Sequence, residues 1–406
     1  MEELLFLAHR IPYPPNKGDK IRAWHILKHL TDRYRVRLGC LVDDPHDRIY
    51  IADLERHCAE VKAVSVSPLR QRVRMLTDFR PGQPLSTSYF HSPELASWVD
   101  RTIGAHAIRH AFVFSSPMMT YVPPRHGLKT ILDLVDVDSE KWRDMAEHAP
   151  APQRWIYARE AETLLAFERR MAGEAEHTLV CSEPEAELFR LRAPEASATT
   201  IWMRNGIDFD YFAPDQSGTN PYPDDGRPVI VFTGDMGYWP NIDAVLWFAR
   251  EVFPEIASRR PRPRLAIVGA HPAGSVLRLA SEDVVVTGRV EDIRPYLAHA
   301  AVVVAPLQVA RGIQNKVLEG MAMARPVVAT SAAEQGLGVR DSGAILIADT
   351  ARDTALRVAE VLDGEHTSLA TSARRIIEAR FSWNATLGKL DRLLANGTQL
   401  AEERVA

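Results

Sequence analysis

Two α/β units with parallel sheets, joined by a short polar linker, are what this sequence predicts, and three observations lead there. Short apolar runs such as Leu4 to Ala8, Val229 to Thr233 and Ala301 to Ala305 alternate with segments of helical periodicity. That is the pattern of strands buried on both faces between covering helices. A chain of 406 residues is long enough for two ordinary domains, each with its own core. Between the halves, Asp215 to Pro228 is rich in Pro, Gly and Asp and nearly free of apolar side chains, which marks a linker. The expected division is 1–212, a linker over 213–228, and 229–381.

Composition narrows the function. Hydrophobic residues at 46% and charged ones at 25% are globular values, so no long part is expected to be disordered. A net charge of −4 argues against a general nucleic-acid binder. Three scattered cysteines, Cys40, Cys58 and Cys181, make neither a disulfide framework nor a zinc pattern and suit a reducing cytoplasm. The opening MEELLFLAHRIPYPP has acidic residues where an export signal needs basic ones, and no stretch approaches the roughly 20 apolar residues of a membrane span. A cytoplasmic protein is expected. Arg70, Arg72, Arg74 and Arg80, with Leu69, Val73, Leu76 and Phe79 among them, read either as a solvated basic helix or as a peripheral contact with the inner membrane.

In the first half, the strand Leu4 to Ala8 leads through HRIPYPPNKGDK to a helix expected from about Ile21 to Leu30. In open α/β sheets such a loop lies at the carboxyl edge of the strand, where ligands bind. Arg10, Lys17, Gly18, Asp19 and Arg22 are therefore candidates for a charged substrate, unless the prolines merely stiffen a connection and the charges are solvated. Further strands are expected at Val36 to Val42, Val61 to Val66, Ala111 to Phe114, Thr130 to Val135, Thr178 to Cys181 and Ile201 to Met203. Gln153 to Ala175 is a long amphipathic helix, and Ser182 opens a capping box with Glu185. Asp136 and Asp138, flanking Val137 after a strand, suit a divalent metal with a nucleotide diphosphate.

In the second half, Val229 to Thr233 is followed by Gly234 and Gly237, then by a helix from Asp243 after Pro240 and Asn241. Gly269 to Gly274 has the glycine spacing of a P-loop, but Ser275-Val276 stands in place of Lys-[ST], which excludes an ATPase reading. Val284 to Thr287 precedes Gly288 and Arg289, and Ala344 to Ile347 is the last expected strand. The densest stretch is Val309 to Thr330. Gly312 permits a sharp turn, Gln314 to Met323 is helical with Val317, Leu318, Met321 and Ala322 on one face, Pro326 ends it, and Val327 to Ala329 is a strand. A helix opening after a glycine presents free N–H groups and about half a positive charge to a phosphate or diphosphate. Lys316 adds a full charge, and Glu319 suits the vicinal hydroxyls of a sugar. The alternative is a structural helix with Lys316 and Glu319 on a solvated face.

Glu319 and the GMAMARPVVAT after it resemble the donor segment of glycosyltransferase family 4, retaining enzymes of GT-B fold with the pattern E-x7-E followed by A-M-A-x-G-x-P-V-V-A. Arg311 stands at the first glutamate, and Ala324 and Arg325 fill the x-G slot. RNGIDFDYFAPD resembles the end of the family's first domain. FSWNATLGKLDRLL resembles the helix, about 382–400 here, that crosses back to that domain. The run from Arg10 to Arg22 and DVDSEKW are similar to a subgroup associated with exosortase/PEP-CTERM exopolysaccharide loci.

The resemblance implies two Rossmann-like doubly wound domains facing across a cleft. It implies a metal-independent transfer of sugar from a nucleotide diphosphate, UDP or GDP, to a glycan or lipid-linked saccharide, with no other cofactor. Gly18, Gly234 and Gly237 would approach the donor, as would the segment Arg311, Gly312, Ile313, Gln314 and Asn315. Lys316 and Arg289 would oppose the leaving diphosphate and Glu319 would hold the ribose. Arg10, Lys17, Asp19, Arg22, Asp136 and Asp138 would face the acceptor, Asp19 and Asp136 close to the reacting hydroxyl, with Lys141 assisting. Two other readings share the donor chemistry: a sugar-nucleotide epimerase of the same fold, and a nucleotide-sugar-binding protein without turnover, suggested by Arg311.

Overall fold

Thirteen strands form two all-parallel sheets among the residues described by the computed structural model, 1–15, 18–77, 80–122, 127–216 and 218–395. The first sheet contains β1 (Glu3–Ala8), β2 (Arg35–Val42), β3 (Glu60–Ser65), β4 (His110–Phe114), β5 (Lys129–Val135), β6 (His177–Val180) and β7 (Thr200–Trp202). Its order is β3-β2-β1-β4-β5-β6-β7. The second contains β8 (Val229–Thr233), β9 (Arg264–Val268), β10 (Val284–Gly288), β11 (Val302–Ala305), β12 (Val327–Ala329) and β13 (Leu346–Ile347), in the order β10-β9-β8-β11-β12-β13. Both are doubly wound. Each reverses direction once, between β1 and β4 and between β8 and β11, and a crevice opens outside the carboxyl ends of the strands at such a point.

Burial explains why these runs are strands. β1, β4, β8, β9 and β11 are apolar almost throughout and buried on both faces, so continuous hydrophobicity replaces alternation. In the first unit Leu5, Leu7, Val99, Val113, Leu132 and Phe189 belong to one core. Gly39 on β2 is part of that packing: a Cβ there would lie 2.8 Å from the Trp98 ring and 2.9 Å from Leu7.

The chain divides into two compact units, Met1–Arg204 with the segment from Leu387, and Asn205–Thr386. The C-terminal helix, Trp383–Ala395, begins in the second unit and ends in the first. There Asp391 accepts from His29 at 2.7 Å and pairs with Arg33 at 3.0 Å.

Three local expectations are corrected. The first helix is Gly18–Thr31, opening on the glycine itself rather than at Ile21. The helix expected from Asp243 is Trp239–Trp247, because Pro240 at its second position needs no N–H partner in a first turn. In the x-G slot it is Ala324 that takes the glycine-like conformation, with φ 50°. The capping box is present on one side, Ser182 Oγ accepting from Glu185 N–H at 3.4 Å. The Glu185 carboxylate also accepts from Val137 N–H at 2.7 Å, which ties the chain after β5 to the helix after β6. Among the described residues no helix is long and apolar enough to cross a membrane.

Candidate functional site

In the second unit the polar chemistry gathers at the reversal between β8 and β11. β11 leads through Gly312, with φ 64°, to the helix Asn315–Ala322. Gln314 caps this helix without a side-chain hydrogen bond, because its amide instead donates to Arg311 O at 2.9 Å. The Gln314 side chain therefore takes none of the first-turn N–H groups; Val317 N–H donates to Gln314 O at 3.0 Å, which leaves those of Asn315 and Lys316 to an anion. Lys316 is buried, with Nζ 2.8 Å from Asn241 Oδ1 and 4.9 Å from the centre of the Phe232 ring. Asn241 belongs to the helix that follows β8, so this bond joins the two helices leaving either side of the crevice. Asn241 is itself held by donating to Asp235 O at 2.9 Å.

Glu319 is half-buried one turn further along. Burial lowers Lys316 to about 8 although Glu319 opposes the shift, and burial raises Glu319 to about 7 although Lys316 opposes that. A charge-bearing pair is thus held with little solvation, where an incoming anion or hydroxyl interacts strongly with it.

Glycines let the surrounding loops close up. Gly234 has φ 154°, and a Cβ there would sit 2.8 Å from the Asn241 amide. A Cβ on Gly269 would lie 1.7 Å from Gly234 O, so the loops after β8 and β9 meet backbone to backbone. Gly237 packs on Asp235 and His271, whose Nδ1 lies 3.2 Å from the Asp235 carboxylate. Thr330 Oγ donates to Leu307 O at 2.6 Å, joining the end of β12 to the loop after β11. Gly336 braces the Gly312 turn, since a Cβ there would lie 2.0 Å from Gly312 O. Only backbone is available to move, so Gly336→Ala is expected to cost about 2–3 kcal/mol of stability and to weaken nucleotide binding. Thermal melting and calorimetric titration check both effects.

Ile313 is buried beside this turn, while Arg311 and Asn315 are half-buried on it. Arg289 stands apart. It is exposed after β10, the sheet edge, three strand steps or about 14 Å across the sheet from β11.

In the first unit the reversal between β1 and β4 holds Arg10, which donates to Asp19 at 2.9 Å and to Asp43 at 2.8 Å. Asp19 also meets His9 Nε2 at 3.4 Å. Burial works to raise the Asp19 carboxyl, but His9 and Arg10 outweigh it and hold it well below the usual carboxylate range. The His9 ring stacks on Phe114 and meets the edge of Phe90. At the end of β5, Lys141 Nζ lies 2.8 Å from Asp136 and 3.0 Å from Asp138, and Cys181 Sγ donates to Asp136 at 2.8 Å. One ammonium therefore already bridges the two carboxylates that suited a divalent metal. Lys17 lies outside the described residues, and Gly18 is exposed as the first residue of its helix.

Arg22 is corrected. It is fully buried, with Nε 2.8 Å from Asp133 Oδ2 and Nη1 2.7 Å from Met203 O, so it is a structural ion pair rather than a substrate contact. Residues the sequence reading did not single out are His9, Asn241, Asp235 and His271. Their motifs were visible, as loops after strands, but their roles depend on partners far along the chain.

Comparison with known proteins agrees with this architecture. Over 97% of its length the chain superposes on all of the Anabaena protein HepE in complex with UDP-glucose, at TM-score 0.68 and 17% identity. Over 98% it superposes on all of sucrose-phosphate synthase from Thermosynechococcus elongatus, at TM-score 0.72 and 16% identity. WaaG, a glycosyltransferase involved in lipopolysaccharide biosynthesis, matches over 97% of this chain and all of its own, at TM-score 0.65 and 14% identity. This is the GT-B fold. Residues 227–364, the greater part of the second GT-B domain, match the family model of glycosyl transferases group 1. No curated protein matches the chain by sequence.

Proposed function

We propose that this GT-B protein is a retaining glycosyltransferase whose second domain binds a nucleotide diphosphate sugar and whose first domain meets a glycan or lipid-linked acceptor, in exopolysaccharide synthesis. The observation that carries the reading is the buried Lys316 ammonium at an anion-ready helix start, bridged to Asn241 across the reversal of the sheet. In this reading the diphosphate sits on the Gly312 turn and the first N–H groups of the Asn315–Ala322 helix, and Lys316 opposes the charge that develops as it departs. Glu319 accepts from the ribose hydroxyls. A fixed ammonium and N–H donors then take the place of a metal ion. Arg289, on the far side of the sheet, serves the nucleotide end of the donor rather than the diphosphate. Asp136, fixed by Lys141 and Cys181, orients the acceptor hydroxyl, and Asp19 with Arg10 flanks it.

Support comes from the group 1 match over the second domain and from HepE, solved with UDP-glucose. A thermal-shift screen against UDP-, GDP- and ADP-sugars in EDTA tests it. One nucleotide family should stabilise the protein without metal. Stabilisation only with manganese, lost in Asp136→Ala, would move the donor to the Asp136–Asp138 pair. Arg311, at the position of a glutamate in the family pattern, selects an acidic donor such as a uronate in this reading; an unchanged donor preference in Arg311→Ala would remove that part.

Acidity should tune the site. Nucleotide affinity is expected to peak between about 7 and about 8 and to fall on both sides. Below the lower step Glu319 is protonated and loses acceptor capacity; above the upper step Lys316 is neutral and loses its attraction for phosphate. The two titrate as a pair, so the steps belong to the pair and not to either group. A bound diphosphate raises the Lys316 step, so binding at alkaline pH takes up a proton. Titration calorimetry in two buffers of different ionisation enthalpy reads this directly, and a flat profile would remove the pair from the donor site.

A further inference from the structure

The first domain carries an apolar and basic face on its surface. The helix Pro68–Thr77 contains no acidic residue. Gln71 and Arg74 turn inward, their side chains donating to His91 O at 3.4 and 2.8 Å. The opposite side therefore points outward, with Leu69 71% and Val73 52% exposed and Arg70 and Arg72 beside them. Among the described residues, Arg70, Arg72 and the exposed Arg80 form no ion pair.

A second element adds an exposed aromatic residue to the same scaffold. Glu160, fully buried on the long helix Gln153–Glu174, accepts from Leu85 N–H at 2.7 Å and Ser86 N–H at 2.9 Å, and so caps the short helix Leu85–Tyr89. The Pro68–Thr77 helix packs on that short helix. Next to Glu160, Arg159 donates to Arg80 O at 2.9 Å and Gln83 O at 3.1 Å. Trp155, 66% exposed, lies one turn before Arg159 on the same side of the long helix. The apolar side chains and the arginines are thus fixed to one scaffold, which holds them out at a cost in exposed apolar surface.

We infer that this face docks on an anionic lipid bilayer. Leu69, Val73 and Trp155 enter the boundary between headgroups and acyl chains, where an indole is well placed, while Arg70, Arg72 and Arg80 pair with lipid phosphates. Charge decides the occupant: three arginines that form no ion pair among the described residues match a negative surface, and the exposed apolar residues beside them match what lies beneath it. The inference does not depend on the donor site.

Sedimentation of the full chain with phosphatidylcholine vesicles, with and without about one-third phosphatidylglycerol, tests it. Binding to the anionic vesicles should exceed binding to neutral ones by roughly 100-fold and fall steeply toward about 0.5 M salt. Arg70→Glu/Arg72→Glu should weaken it at least about 30-fold, and Leu69→Ser/Val73→Ser or Trp155→Ala by about 10-fold. All these positions are exposed, so the variants should melt like the parent, and circular dichroism confirms that they fold. Equal binding to both vesicle types, or unchanged binding in the charge-reversed variant, overturns the inference. A chain that ignores vesicles but dimerises, with Leu69→Asp/Val73→Asp monomeric, assigns the face to a second copy instead.

Discussion

Lys316→Ala is expected to remove nearly all nucleotide-dependent stabilisation. A buried ammonium bonded to a diphosphate contributes about 3 kcal/mol, so its loss weakens donor affinity roughly 100-fold. At a ligand concentration near 100 times the parent's Kd, binding stabilises the parent by about 2.7 kcal/mol. The variant would then retain only about 0.4 kcal/mol. For a domain of this size the melting shift falls from about 5–10 °C to about 1 °C. Lys316→Met separates charge from packing, because its side chain still lies against Phe232. The empty Met variant should fold at least as stably as the parent, since a buried cation is replaced by an apolar group. It should bind nucleotide as poorly as the alanine variant. A Met variant that keeps the full shift would place the diphosphate elsewhere.

The second large effect is on stability in the first domain. Asp133 and Arg22 are both fully buried. Burial raises the Asp133 carboxyl despite the opposing charge of Arg22, which shows how little solvation remains around the pair. Asp133→Ala leaves the Arg22 cation without that partner and removes the acceptor for Val135 N–H at 3.0 Å, so a loss of about 3–5 kcal/mol is expected. The melting temperature should drop by about 10 °C. Arg22→Met/Asp133→Leu, which removes both charges at similar volume, should restore most of that loss. A double variant as unstable as the single one would mean that packing and not charge sets the cost.

Much of this was legible from residues alone. Continuous apolar runs such as those of β1 and β8 show a strand buried on both faces without knowledge of its neighbours. The glycine, helix and strand of Gly312 to Ala329 are a local pattern, and so is the anion-ready helix start. Errors were also local. Trp239 rather than Asp243 opens its helix, because Pro240 sits within the first turn rather than ahead of it. A charged Arg22 just after a glycine loop points to a ligand, and spacing cannot show that Asp133 stands opposite it.

What the sequence by itself determined is the kind of protein this is: two doubly wound α/β halves and one segment able to hold a phosphate. These follow from periodicity and turn chemistry over a few residues. Only the tertiary structure decided which charges are available. Lys316 meets Asn241, 75 residues away, Arg22 meets Asp133, 111 residues away, and Arg159 holds the chain at Arg80, 79 residues away. The burial of each group and the partner it meets are set by such distant contacts, and no local pattern in the chain encodes them.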